Sequence, residues 1–166
     1  EVPGLAALSP GGDAVVGSLS CASAGNCTAS GSYTPSRHNT QGFIVAERNG
    51  RWGKATRIPG LPALNKGNNA AVFSVSCSHA GNCAAGGVYN DKSGNRQGFV
   101  VSERNGRWGK ATEVPGLAAL NTGQDAEIDS VSCSPAGNCA AGGSYMHAAT
   151  PPFFSQTQAF VVSRSS

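Results

Sequence analysis

The sequence lacks any apolar stretch long enough to cross a membrane. Its longest apolar runs, such as residues 98–101, are far shorter than the roughly 20 residues of a transmembrane helix. Charged residues are also scarce, at 13% of the chain, and the formal net charge is only +3. Nucleic-acid surfaces depend on dense clusters of basic side chains, so the composition predicts no nucleic-acid partner. The short apolar runs likewise predict no membrane span.

The usual signatures of catalysis and metal binding are missing as well. The chain contains no G-x-S-x-G, no H-E-x-x-H and no phosphate-binding loop, and its three histidines (His38, His79 and His147) are scattered. The sequence pattern identifies no candidate nucleophile together with a general base that could activate it. We therefore predict that the protein is not an enzyme and that it binds no metal ion or cofactor.

Six cysteines are present, and they form three pairs with the same spacing: Cys21 with Cys27, Cys77 with Cys83, and Cys133 with Cys139. Zinc sites usually have shorter Cys-x-x-Cys steps or accompanying histidines. The pattern therefore predicts three local disulfides and a secreted, extracellular protein. The start at Glu1, without Met or an apolar signal segment, fits either a mature form or an expressed fragment.

The chain repeats itself every 56 residues, as Pro3, Pro59 and Pro115 in the recurring Val/Ile-Pro-Gly-Leu segment show. We divide this single domain of residues 1–166 into repeat 1 (residues 2–57), repeat 2 (residues 58–113) and repeat 3 (residues 114–166). The segments 47–56 and 103–112 are identical, with the sequence ERNGRWGKAT. Repeat 3 has no such segment, so it lacks its last predicted strand.

Each complete repeat is predicted to form a four-stranded antiparallel meander. In repeat 2, residues 72–77 alternate as a strand, with Phe73, Val75 and Cys77 on one face. Asn105-Gly106 is a strong signal for a type I′ hairpin turn. The other three predicted strands of this repeat are residues 83–89, 97–104 and 107–112.

Repeated four-stranded units are typical of β-propeller blades, so the predicted fold class is all-β. Three blades are too few to close a ring, because propellers typically use about four to eight. Three arrangements remain open: two copies of the chain form a homodimer of three plus three blades, the chain belongs to a larger array, or the repeats close on themselves as in a β-trefoil. We prefer them in that order, because the low aromatic content and the long period argue against a trefoil.

The pattern S-V-S-C-x5-C-A-A-G-G-x-Y, followed by a polar loop and Q-G-F-V-V-x-E-x-N-G-x-W, resembles tandem repeats of secreted actinobacterial proteins. This resemblance covers nearly the whole chain and implies β-propeller blades. The hairpin around Trp108 is also similar to the E-x-x-W-D-G-x-G-W hairpin of small bacterial fucose-binding propeller lectins, which assemble rings from short chains. Here Asn105 replaces the aspartate, one Trp is missing, and the sugar-binding arginine of that family has no clear equivalent.

Two hairpins carry the predicted ligand-binding residues: Glu47, Arg48, Trp52, Glu103, Arg104 and Trp108. A two-residue turn places Glu103 opposite Trp108, and the identical segment does the same for Glu47 and Trp52. An indole can stack on the apolar face of a sugar while a carboxylate accepts bonds from its hydroxyl groups. The alternative is that both Trp pack between neighbouring sheets and that the glutamates pair with Lys54 or Lys110.

We therefore predict a secreted, multivalent carbohydrate-binding module. The alternative is a protein-binding factor, such as a protease inhibitor or a protease modulator. Its candidate surface is the long third loop, residues 146–155, which contains two Pro and two Phe. The same loop could instead fold back over the edge left by the missing strand, and we prefer this covering role slightly. A purely structural surface protein is the third possibility.

Overall fold

The computed structural model describes residues 1–10, 12–148 and 154–164. Strands make up 59% of the structure and helices 8%, and the strands form three sheets. The predicted all-β class is therefore confirmed. The described helices have four residues each, and none of them is long enough to span a membrane.

Every repeat begins with a short helix, which is followed by long strands. Repeat 1 contains α1 (Leu5–Leu8), β1 (Ala14–Ser23), β2 (Asn26–Ser36), β3 (Asn39–Arg48), β4 (Arg51–Trp52) and β5 (Thr56–Arg57). Repeat 2 contains α2 (Leu61–Leu64), β6 (Ala70–His79), β7 (Asn82–Asn90), β8 (Arg96–Arg104), β9 (Arg107–Trp108) and β10 (Thr112–Glu113). Repeat 3 contains α3 (Leu117–Leu120), β11 (Ala126–Cys133), β12 (Cys139–His147) and β13 (Gln156–Arg164).

The three long strands of each repeat pair antiparallel in chain order, but the predicted fourth strand is split into two short pieces. The split arises because the backbone N–H of Ala111 leaves the ladder and donates to the carbonyl oxygen of Pro59 at 2.8 Å. In repeat 1 the N–H of Ala55 donates to Pro3 in the same way, at 2.7 Å. The opening segment of these two repeats therefore lies along the last strand of the same repeat.

The sheet of repeat 3 has three strands in the described part of the chain. Its strand β13 pairs with β12 from Gln156 to Arg164. This agrees with the absence of an ERNGRWGKAT segment from repeat 3. Residues 149–153 of the long third loop lie outside the described residues, so the covering and docking roles of that loop stay predictions.

The first strand of repeat 2 differs from the predicted alternation. The expected common face of Phe73, Val75 and Cys77 is wrong, because β6 contains a bulge: Val72 pairs with Gly87 and Ser74 with Gly86, which leaves Phe73 as the extra residue. A bulge residue changes the side on which the preceding residues lie. As a result Val72 and Val75 are both buried, whereas Phe73 is exposed.

Sheets of consecutive repeats pack face to face. We call the face of a sheet that packs on the preceding repeat its leading face, and the opposite one its trailing face. Val72, Val75 and Phe99 lie on the leading face of repeat 2 and form a buried cluster with Ile44 from the trailing face of repeat 1. Val100, on the trailing face of repeat 2, packs against the buried residues of repeat 3. Much of the hydrophobic core is therefore built between repeats.

All three predicted disulfides are confirmed, as Cys21–Cys27, Cys77–Cys83 and Cys133–Cys139. In each repeat the two cysteines lie directly opposite each other on the first two long strands. Closing so short a loop stabilises the fold by roughly 2 to 2.5 kcal/mol in the chain-entropy model. Each disulfide therefore fixes the first hairpin of its own repeat.

We expect Gly87→Ala to destabilise the protein by about 1–3 kcal/mol. The added Cβ would collide with the carbonyl oxygen of Ala71 on the neighbouring strand, and this backbone atom is held by the ladder. Gly109→Ala is the matched control, because its Cβ would meet nothing closer than the carbonyl oxygen of Ser102, at 3.5 Å. Urea unfolding of the two variants measures the effect, and an equal loss in both would contradict the steric explanation.

Candidate functional site

The two hairpins have the predicted geometry. Glu103 pairs with Trp108 and Arg104 with Arg107 across the turn, and the corresponding pairs form in repeat 1. Asn105 and Gly106 have φ values of 51° and 77°, as a type I′ turn requires at both central positions. The backbone of each hairpin is therefore fixed by its local sequence.

The side chains of Glu103 and Arg104 point to opposite faces of their sheet, because successive residues of a strand alternate. Glu103 lies on the leading face and meets Arg48 of repeat 1, with 2.9 Å between Arg48 Nη2 and Glu103 Oε1. Trp108, which pairs with Glu103, packs against the buried cluster that contains Ile44 of repeat 1. We call the set of Arg48, Glu103 and Trp108 the seam site, since two repeats contribute to it.

Burial dominates the electrostatics of the seam site. The side chain of Glu103 is only 2% exposed, and that of Arg48 is 35% exposed. Burial raises the pKa of Glu103, and the neighbouring Arg48 guanidinium offsets this only in part. Glu103 Oε2 accepts no hydrogen bond from the described residues. One oxygen of the carboxylate therefore holds the arginine, and the other keeps its capacity to accept a bond.

Arg48 is held in place by two hydrogen bonds. Besides its bond to Glu103, its Nη1 donates to the carbonyl oxygen of Glu47 at 3.1 Å. A guanidinium carries five N–H donors in a planar fork, so these two bonds leave others available on a partly exposed group. The seam site thus combines an oriented donor group, a buried acceptor and an indole.

The other predicted ligand-binding residues lie elsewhere. Glu47 and Trp52 belong to the leading face of repeat 1, where Trp52 lines an open apolar cavity of about 320 Å³ together with Val16, Leu19 and Val45. The described chain places no arginine opposite Glu47. The identical hairpins of repeats 1 and 2 therefore have different surroundings.

Arg104 lies between repeats 2 and 3, beside an open cavity of about 240 Å³ that Ser78, His79 and Asn82 also line. It forms no ion pair with the described residues. Repeat 3 has Arg164 at the position that corresponds to Glu103, since each lies four residues after the Phe of its third long strand. The carboxylate found between repeats 1 and 2 is thus missing here.

The neighbours of Glu103 were not evident from local sequence. We expected Glu103 to lie opposite Trp108, or to pair with Lys110 in the packing alternative. It does lie opposite Trp108, but its carboxylate pairs with Arg48 from the preceding repeat. Strand alternation and the 56-residue period together could have indicated this pair. Alternation places Arg48 on the trailing face of repeat 1, and the period places Glu103 on the leading face of repeat 2. The ligand-binding roles of all six hairpin residues stay predictions.

Comparison of the sequence with protein-family models found no match, and no curated protein matches it. Within the described ranges, no three His, Cys, Asp or Glu side chains are grouped as a metal site would require. The chemistry of the seam site is therefore argued from its own geometry.

We expect Glu103→Gln to change how stability depends on pH. The folded-state pKa of Glu103 lies above its ordinary value of about 4.3, because burial disfavours the charged form. The folded state therefore binds this proton more tightly than the unfolded state. The resulting contribution to the free energy of unfolding is complete below the unfolded pKa and is lost as the pH rises through the folded pKa.

The glutamine variant lacks this contribution at every pH. Its free energy of unfolding should therefore increase relative to wild type as the pH rises from the ordinary carboxyl pKa of about 4.3 through the raised pKa of Glu103. Urea unfolding at a series of pH values measures the difference. Glu47→Gln removes a carboxyl group from the identical hairpin, where the described chain places no arginine opposite it, and serves as the control. Parallel curves for wild type and Glu103→Gln would contradict the assignment.

Proposed function

We propose that the chain is a secreted carbohydrate-binding module that recognises sugars at the seam site. The observation that carries this proposal is the Arg48–Glu103 ion pair, which places an oriented guanidinium beside the glutamate that pairs with Trp108 in the next repeat. Three disulfides and the absence of a membrane-spanning helix from the described residues fit an extracellular location.

Each member of the seam site has a function in sugar recognition. The partly exposed indole of Trp108 stacks on the apolar face of a pyranose ring. The remaining N–H groups of Arg48 donate to hydroxyl oxygens, and the buried carboxylate of Glu103 holds the guanidinium in the orientation that this requires. Because the two charges already neutralise each other, a neutral sugar leaves no ion unpaired, whereas a charged ligand would compete with one partner. Neutral hydroxylated sugars are therefore the proposed ligand class.

We propose that the three sheets are β-propeller blades and that two copies of the chain complete the ring. Face-to-face packing of successive sheets, with β1 next to β6 and β6 next to β11, supports blades over a β-trefoil. Each chain contributes one seam site in which all three residues come together. A homodimer then presents two such sites, which makes binding bivalent.

A protein-binding factor, such as a protease inhibitor or a protease modulator, is the second candidate function. It is favoured by Phe154, which lies at the end of the long third loop and is almost fully exposed. A large exposed aromatic side chain is a common anchor at protein interfaces. This alternative places the ligand at repeat 3, far along the chain from the seam site.

We expect Trp108→Ala to weaken sugar binding strongly and Trp52→Ala to leave the affinity unchanged. The two residues have identical hairpin sequences, but Arg48 lies opposite only the hairpin that contains Trp108. Loss of a stacked indole costs about 1–3 kcal/mol, which corresponds to a decrease in affinity of roughly fivefold to more than a hundredfold. A glycan array identifies the sugars that wild type retains, and calorimetry with the retained sugar measures the affinity of each variant.

Arg48→Met tests the same site without removing the aromatic side chain. It keeps an unbranched apolar stem but removes the donors, so we expect the same loss of sugar binding as for Trp108→Ala. Thermal unfolding of every variant verifies that the fold is retained. Equal binding by the Trp52 and Trp108 variants, or no sugar retained by wild type, would overturn the proposal. Binding of a protein partner that is lost with Phe154→Ala would favour the second candidate.

A further inference from the structure

The leading face of repeat 1 is left uncovered by the described chain. Leu19 on this face is 56% exposed, whereas the corresponding Val75 and Val131 are buried by the repeats that precede them. Val16 is exposed as well, and together with Leu19 and Trp52 it lines the open cavity of this face. An uncovered apolar cluster of this kind marks a surface for association.

The trailing face of repeat 3 is uncovered in a corresponding way. Val161 is 86% exposed there. Its counterpart in repeat 1, Ile44, is only 2% exposed, because repeat 2 covers it, and Val100 of repeat 2 is packed against repeat 3. The part of the chain that the structure describes thus leaves two faces uncovered, one leading and one trailing. Faces of these two kinds pack together twice within the chain.

The first strands of neighbouring repeats are joined by serine hydroxyl groups. In repeats 1 and 2, two serine hydroxyl groups of the first long strand accept hydrogen bonds from the following repeat. The donors are backbone N–H groups on the edge of the first long strand of that repeat, at distances of 2.9–3.0 Å. The pairs are Ser18 with Val75, Ser20 with Cys77, Ser74 with Val131, and Ser76 with Cys133. These bonds satisfy part of an otherwise unpaired strand edge.

Repeat 3 has the same two serines. Ser130 and Ser132 are exposed and accept no such bond from the described residues. At the other end of the chain, Leu19 and Cys21 occupy the positions of the N–H donors Val75 and Cys77. The apolar side chains and the hydrogen-bonding groups of the two uncovered faces are therefore complementary.

We propose that the leading face of repeat 1 binds the trailing face of repeat 3 from a second copy of this chain. In this interface Leu19 and Val16 cover Val161, and Ser130 and Ser132 accept hydrogen bonds from the N–H groups of Leu19 and Cys21. The proposal specifies the contact surfaces of the homodimer on which the bivalence of the proposed function rests. The chain itself supplies the template, since its two internal interfaces use the same positions.

The interface is heterologous, because one face meets a different face of the partner. A heterologous contact either closes into a ring or continues as an open filament. Two copies bring six sheets together, and this number lies within the roughly four to eight blades of closed propellers. The expected assembly is therefore a closed dimer in which both interfaces are identical.

Light scattering after size exclusion tests the proposal with two charge substitutions. We expect wild type at twice the 16.7 kDa mass of the chain, and Leu19→Asp and Val161→Asp each at a reduced, mainly monomeric mass. An equimolar mixture of the two variants should regain the dimeric mass, because one intact leading face then meets one intact trailing face. Phe73→Asp is the control: it removes another exposed apolar side chain, and repeat 3 carries Asp129 at the corresponding position. It should remain dimeric.

Several outcomes would overturn the proposal. If wild type is monomeric, the proposed interface does not form. If the mass increases with concentration beyond that of the dimer, the chains form an open array and not a closed ring. If Val161→Asp dimerises alone while Leu19→Asp does not, the leading face binds itself. Circular dichroism and thermal unfolding verify that the variants fold, as expected for substitutions at exposed positions. Sugar binding by monomeric Leu19→Asp is a separate readout, because the seam site lies within one chain.

Discussion

Packing of one sheet against the next is the interaction on which the rest of the molecule depends. The sheets are narrow and rich in small residues, so a single repeat has few large apolar side chains to bury. Ile44 is buried only because Val72 and Val75 from the next repeat cover it. Stability in such arrays is a property of contiguous repeats, and the ion pair between Arg48 and Glu103 takes its geometry from the same packing.

Local features were predictable from the sequence. The spacing of the cysteines and the Asn-Gly turns act over a few residues, so the disulfides and the hairpin register follow without knowledge of the rest of the fold. Small residues in the second long strand allow the backbones to approach closely, and Gly87 lies against the carbonyl oxygen of Ala71. In each case the interacting groups are neighbours in sequence or on adjacent strands.

The bulge in β6 and the contacts between repeats were not predictable in the same way. The bulge at Phe73 leaves no local signal, because a strand with one extra residue still consists of residues that favour strands. The pairing of Arg48 with Glu103 requires the stacking order of the sheets, and a single hairpin does not contain that information. The identical hairpins differ for this reason: Trp108 has an arginine from another repeat beside its glutamate, and Trp52 does not.

The placement of the disulfides has a consequence for the history of such a chain. Because each one joins two cysteines of the same repeat, a gene duplication that adds a whole unit adds both partners, and a deletion removes both. Neither event creates an odd thiol that could form mixed disulfides during oxidative folding. The number of units can therefore change during evolution without disturbing the covalent connectivity of those that remain.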